Sequence, residues 1–346
     1  MSKKPEPSPV RVRLATHAGS WYSHDEHELE GELSGAVVVL FQFGKRVRSC
    51  DGDCMQVGWT PQRTATRRRN SQASVRLLGL MQVSGMLSQR FINWNIEADV
   101  HIVRYSGPTA AFAYHHLLDL DRIKRVFILG PSHHFYLRGC AVSTAHEYET
   151  PLGNIAIDHE VNEKLVDSGK FATMSMDVDE DEHSIEMHLP FIYKVMNGRK
   201  FTAVPILVGN TKSKMDEEYG KILAPYLEND ENLFVISSDF CHWGPRFRYQ
   251  PHDSTYGEIH EYIKYLDHQG MGFIERLDAE GFTRYLDETN NTICGRHPIS
   301  LLLHSILASK KLKFALKFVK YAQSSACMRH GDSSVSYASA IVYSEP

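Results

Sequence analysis

The sequence predicts an α/β fold in which a central mixed sheet carries helices on both faces, and two patterns predict it. Short runs rich in Val, Ile and Phe alternate with helix-like stretches along most of the chain. The residues able to do chemistry directly follow two of those runs, where open α/β sheets place their ligand sites. The 346 residues are 42% hydrophobic and 23% charged, a globular composition, and α/β sheets often take a chain of this length into one unit.

Taken in order, the N-terminal MSKKPEPSPVRVRL lacks the apolar core of a signal peptide. The longest clean apolar run, Ala36 to Phe41, is far too short for a membrane span. The expected location is therefore cytoplasmic, with the nucleus as a second compartment. From about Ala36 to Val103 the pattern breaks into CDGDCMQVGWTPQRTATRRRNSQ and an apolar, helix-like LLGLMQVSGMLSQRFINW. The basic cluster Arg67 to Arg69 between them reads as a solvated loop ahead of a localisation signal.

Beyond it, Arg125 to Leu129, Phe201 to Val208, Leu233 to Ser237 and Ser336 to Tyr343 read as buried strands. Val161 to Ser168, Met215 to Glu228 and Ser254 to Leu266 read as helices.

A formal charge of −4 and a pI near 6.5 argue against a nucleic-acid partner, because phosphate neutralisation needs a basic excess. The six cysteines are scattered and expected as free thiols. Cys50 and Cys54 have no neighbouring His or Cys to complete a zinc site.

Four segments carry chemistry. Gly130-Pro131-Ser132-His133-His134 follows the first strand, and adjacent imidazoles point apart, so one would bind a metal while the other orients a substrate. Asp179 to Glu182 set four acids before His183, Glu186 and His188. Acids at a helix start suit its positive end, which competes with a site reading, and His183 and Glu186, three apart on a helix, would form an acid/base pair. Ser238-Asp239-Phe240-Cys241-His242-Trp243 follows the third strand, with Asp239 placed to orient an imidazole, and its aromatics favour partial burial. Cys294, Arg296 and His297 put a thiol beside two cationic groups, a setting for a metal ligand or a nucleophile, against the plainer role of a small buried residue.

Together with His17-Ala18-Gly19-Ser20-Trp21-Tyr22, RYSGPTAAFAY from Arg104, VPILVG from Val204 and YAQSSACMRHGDSSVSYAS from Tyr321, these segments resemble the Memo family, in the family's order from about residue 104 onward. The resemblance implies one domain over residues 1–346 with a fold similar to class III extradiol dioxygenases. It also implies a pocket that binds copper or iron through two histidines and a cysteine. On the matching motifs His133 and Cys294 are ligands, and His134, His183, Glu186, Asp239, His242, Arg296 and His297 belong to the pocket's neighbourhood. The family's first ligand sits in a Pro-His-Ala-Gly-Tyr segment directly before RYSGPT. Here Asp99-Val100-His101-Ile102-Val103 stands there instead, and His101, one residue out of register, is the candidate for that ligand. An inserted or mispredicted exon would account for residues 36–103, and transcript sequencing tests this. If the segment is translated, the sheet is expected to lose a strand there and the metal one of its ligands.

The resemblance implies a signalling and redox effector tied to cell motility and the cytoskeleton, with a phosphotyrosine-containing receptor tail or adaptor protein as partner and Arg246, Arg248 and Arg296 as anion contacts. Fixed turnover is not part of that expectation. A metal-dependent oxygenase is the alternative, although Cys294 replaces the carboxylate such sites use. A thiol hydrolase using Cys294 ranks third.

Overall fold

A computed structural model describes residues 10–20, 22–23, 38–42, 103–117 and 119–345. Its strands are β1 (Val12–Arg13), β2 (Val38–Gln42), β3 (Arg125–Pro131), β4 (Cys140–Val142), β5 (Glu147–Tyr148), β6 (Ile155–Ala156), β7 (Phe171–Thr173), β8 (Thr202–Val208), β9 (Asn232–Ser237), β10 (His242–Trp243), β11 (Lys313–Gln323) and β12 (Ser334–Glu345). Its helices are α1 (Val103–His115), α2 (His159–Asp167), α3 (Met176–Asp181), α4 (His183–Glu186), α5 (Leu189–Met196), α6 (Ser213–Leu227), α7 (Ile259–Glu275), α8 (Ala279–Thr289) and α9 (Arg296–Ala308).

Nine strands form one mixed sheet in the order β10-β12-β2-β9-β3-β8-β4-β7, with β11 pairing β12 on its other edge. At its centre β3 runs parallel to both β8 and β9. Side chains alternate along a strand, so β3 feeds two cores at once. Phe127 and Leu129 pack with α6 and α9 through Leu223, Leu227, Leu302 and Leu303. Val126 and Ile128 pack on the other face with Ala110, Ala113, Ile185 and Ile192. Helices on both faces are why these strands read as continuous apolar runs rather than as an alternating pattern.

The expected strands occur as β3, β8, β9 and β12. The stretch from Ser254 to Leu266 differs, because it is two elements. A single 3₁₀ turn, Ser254–Tyr256, ends at Gly257, whose φ of 92° is open to glycine, and a reciprocal Glu258–Glu261 capping box then starts α7.

The expected loss of a strand within residues 36–103 is corrected. Val38–Gln42 forms β2, parallel to β12 and antiparallel to β9, and fills the place between them. A β-rich run next to two apolar strands completes their ladders whatever follows it in sequence. His101, Cys50, Cys54 and the basic cluster lie outside the described residues. The cysteines at 140, 241, 294 and 327 are thiols, as expected. Among the described residues no helix is long and apolar enough to cross a membrane.

Candidate functional site

Strands β3 and β9 end side by side, and their following turns carry His133 and Asp239. Gly130 lets the β3 end lie against α4, since a Cβ there would stand 2.5 Å from Ser184 Oγ. The Ser184 hydroxyl donates to Pro131 O at 2.8 Å, tying the two segments together. That contact delivers the acidic cluster to the histidines.

Glu182 is the residue it delivers. As N-cap of α4 it accepts from Ser184 N at 2.9 Å, and it also accepts from the backbone N–H of His133 at 2.7 Å and from His133 Nδ1 at 2.9 Å. Capping and site chemistry thus meet in one carboxylate. Burial works against its charge, but the His133 ring and these backbone N–H groups more than offset that and hold the carboxyl down at about 2. Burial likewise opposes a charged His133, yet hydrogen bonds and charges from Cys294 and Glu182 raise its imidazole to about 10.

Cys294 reaches His133 because the loop between α8 and α9 docks on the end of β9. Cys294 N donates to Asp239 O at 3.2 Å, Asp239 N donates to Cys294 Sγ at 3.0 Å, and Gly295 N donates to Ser238 Oγ at 3.1 Å. A Cβ at Gly295 would lie 2.4 Å from Ser237 O, so the approach depends on glycine.

His183 stacks on His133 with ring centroids 4.5 Å apart and planes 11° apart. Burial and the neighbouring charge of His133 push its pKa down to about 3. His134 is half exposed, 5.7 Å from the His183 ring, with Nδ1 3.9 Å from Asp181. His133, Glu182 and His183 offer ligand atoms all within 4.8 Å of one another.

The other expected residues fall around this group. Asp239 Oδ2 lies 3.7 Å from His242 Nε2, while His242 Nδ1 faces the carbonyls of Phe240 and Thr292 at 3.0 and 3.1 Å. Phe240 and Trp243, expected half-buried, are fully buried. His297 Nδ1 bonds Thr211 Oγ1 at 3.1 Å, and burial together with Arg296 lowers its pKa to about 4. Arg246, Arg248 and Arg296 are exposed.

Glu186 does something other than pair with His183. It is fully buried and accepts from His17 N at 2.9 Å and Tyr22 OH at 2.7 Å, with Arg13 Nη1 at 2.8 Å and His17 Nδ1 at 2.8 Å. Arg13 also meets Asp179 Oδ1 at 3.1 Å, and Tyr148 and Ser143 donate to the same Asp179 carboxylate. This buried network fixes residues 13–22, bringing His17 to 5.9 Å from the His183 ring. Glu182, His17 and Arg13 were not singled out by sequence reasoning. The run of acids and the quoted HAGSWY segment held a signal for the first two, and nothing local marked Arg13.

A family model for Memo-like proteins matches residues 101–341. Protein MEMO1 of Danio rerio is 51% identical over 238 residues, 68% of this chain and 80% of its own length. Protein MEMO1 of Homo sapiens is 40% identical over 333 residues, 95% of this chain and 96% of its own. Protein memo-1 homolog of Caenorhabditis elegans is 46% identical over 246 residues, 70% of each chain. On a match that spans most of its length and relatives at these identities, this chain belongs to the Memo family.

Proposed function

We propose that this protein is a metal-binding signalling and redox effector, with copper or iron held through His133 and Cys294, and a role in cell motility and the cytoskeleton. The observation that carries the reading is the pairing of the His133 imidazole with the Cys294 side chain while Glu182 holds Nδ1. A proton shared by an imidazole and a thiol lies between two donors that a soft or borderline metal takes in its place. Glu182 fixes the ring and its tautomer, leaving Nε2 as the nitrogen for a metal. Bound copper or iron would supply one-electron chemistry. Asp239, which engages Cys294 through its backbone, and His242 beside it line the same opening.

On this reading the protein works in the cytoplasm and nucleus and docks a phosphotyrosine-bearing receptor tail or adaptor, with exposed Arg246, Arg248 and Arg296 as anion contacts. The first test is the stoichiometry and affinity of the purified chain for Cu(I) and Fe(II). One tightly bound metal, lost in both His133→Ala and Cys294→Ala, is expected; binding indifferent to both substitutions would overturn the proposal.

A dioxygenase-like reaction is the second reading, favoured by the two imidazoles and one carboxylate gathered within 4.8 Å. It ranks lower because the Glu182 oxygens already accept three hydrogen bonds. Oxygen uptake with a catechol by the iron-loaded protein would raise it; repeated absence would end it.

A further inference from the structure

We infer that His183 supplies the metal site with the imidazole that the family's Pro-His-Ala-Gly-Tyr segment would otherwise provide; this rests on the metal-binding reading above. The segment before Arg104 reads Asp99-Val100-His101-Ile102-Val103, so the histidine of that motif is missing from its register. A site left with one imidazole and one thiolate needs a further donor from somewhere to define geometry and affinity.

Among the described residues, His133, Glu182 and His183 form the one group of three whose possible ligand atoms lie within 4.8 Å of one another. Within it, Glu182 is committed to the backbone N–H of His133, the backbone N–H of Ser184 and His133 Nδ1. It therefore acts as the acceptor that orients His133, a role that carboxylates commonly fill behind a ligating histidine. His183 is then the second nitrogen donor of the group.

Its placement is fixed by the chain. His183 is the first residue of α4, directly after the cap that binds His133, and its ring lies 4.5 Å from the His133 ring in a nearly parallel stack. The two side chains are similarly open to solvent, 28% for His133 and 20% for His183, so both border the same mouth. The other imidazoles of the cluster fit less well. His17 holds Nδ1 on Glu186 at 2.8 Å, and His134 is 49% exposed. With Cys294 on the far side of His133, the donor set becomes two imidazoles and a thiolate, which suits copper and borderline divalent ions.

The test uses the full-length chain loaded with Cu(I), and separately with Co(II) as a spectroscopic probe. Affinity is read by competition with a chromophoric chelator, nitrogen and sulfur ligand number by X-ray absorption, and thiolate ligation by the sulfur-to-cobalt charge-transfer band. His183→Phe keeps an aromatic ring against His133 but cannot ligate, and its thermal unfolding and far-UV circular dichroism verify that it folds. The expected result is about a 10- to 100-fold loss of affinity and one nitrogen fewer in His183→Phe, with the charge-transfer band retained. His101→Ala should match the parent. The assignment falls if His101→Ala removes the nitrogen and His183→Phe leaves the ligand number intact, while the metal-binding reading survives. A parent chain that binds no metal, or whose binding ignores His133→Ala and Cys294→Ala, overturns that reading and this assignment together.

Discussion

Glu182 holds His133 at two points, accepting its ring Nδ1–H at 2.9 Å and its backbone N–H at 2.7 Å. The carboxylate fixes both where the residue sits and which way its ring turns. Glu182→Gln keeps the shape and removes the charge, so the His133 imidazole should titrate well below about 10, as followed by the ring resonances in NMR. A ring still titrating near 10 would assign the whole elevation to Cys294.

Acid should destabilise the protein through its buried neutral histidines. Burial, with help from neighbouring cations at two of them, depresses His183 and His188 to about 3 and His297 to about 4, against 6.5 for the unfolded group. Groups lowered on folding contribute stability that is present above 6.5 and lost as pH falls toward 3. Glu182, lowered to about 2, adds a further loss below about pH 4.5. His133 has the opposite sign: raised to about 10, its contribution is complete below 6.5 and lost as pH rises through 10. Calorimetry across pH 4 to 10 should give a Tm that falls on both sides of a maximum near pH 6.5, and His133→Asn should flatten the alkaline side.

Metal uptake should release protons. His133 is protonated at neutral pH when its ring sits near 10, and a ligating nitrogen must give that proton up. Apparent Cu(I) affinity should therefore rise from pH 6 to pH 9, with proton release measurable by calorimetry in buffers of different ionisation enthalpy. A pH-independent affinity would place the metal away from His133.

Removing the Arg13 guanidinium leaves the Asp179 and Glu186 carboxylates buried without their cation. Breaking a buried ion pair from one side costs about 3–5 kcal/mol, and Arg13→Met should show a loss of that size in urea unfolding. Residues 14–22 should also become sensitive to protease, since their hold on Glu186 passes through this network. Loss under about 1 kcal/mol would mean that solvent replaces the cation.

Gly295→Ala should disturb Cys294 without touching it. The added methyl would sit 2.3 Å from Ser238 Cβ and 2.4 Å from Ser237 O, so the loop must lift from β9. Overpacking of this kind costs about 1–3 kcal/mol, and the rate of Cys294 alkylation should change while the buried Cys140, Cys241 and Cys327 stay protected.

Periodicity and strand-end position were enough to locate the sheet and to bring GPSHH and SSDFCH to one edge. Both signals are local: an apolar run covered on both faces declares itself within five to seven residues, and a parallel strand must end where its site begins. The family motifs, likewise carried in the chain itself, added His133 and Cys294 as a pair. Which acid of the 179–182 run meets a histidine was beyond that reach. The helix periodicity that pairs His183 with Glu186 assumes one continuous helix, and the chain breaks at Glu182 into two short ones. The contacts that make the site join residues 49 apart for Glu182 and His133 and 55 apart for Asp239 and Cys294, and the network behind it joins Arg13 to Asp179 across 166. Such partners share no local pattern, so only the packing of α4, the α8–α9 loop and the N-terminal segment onto the strand ends decides them.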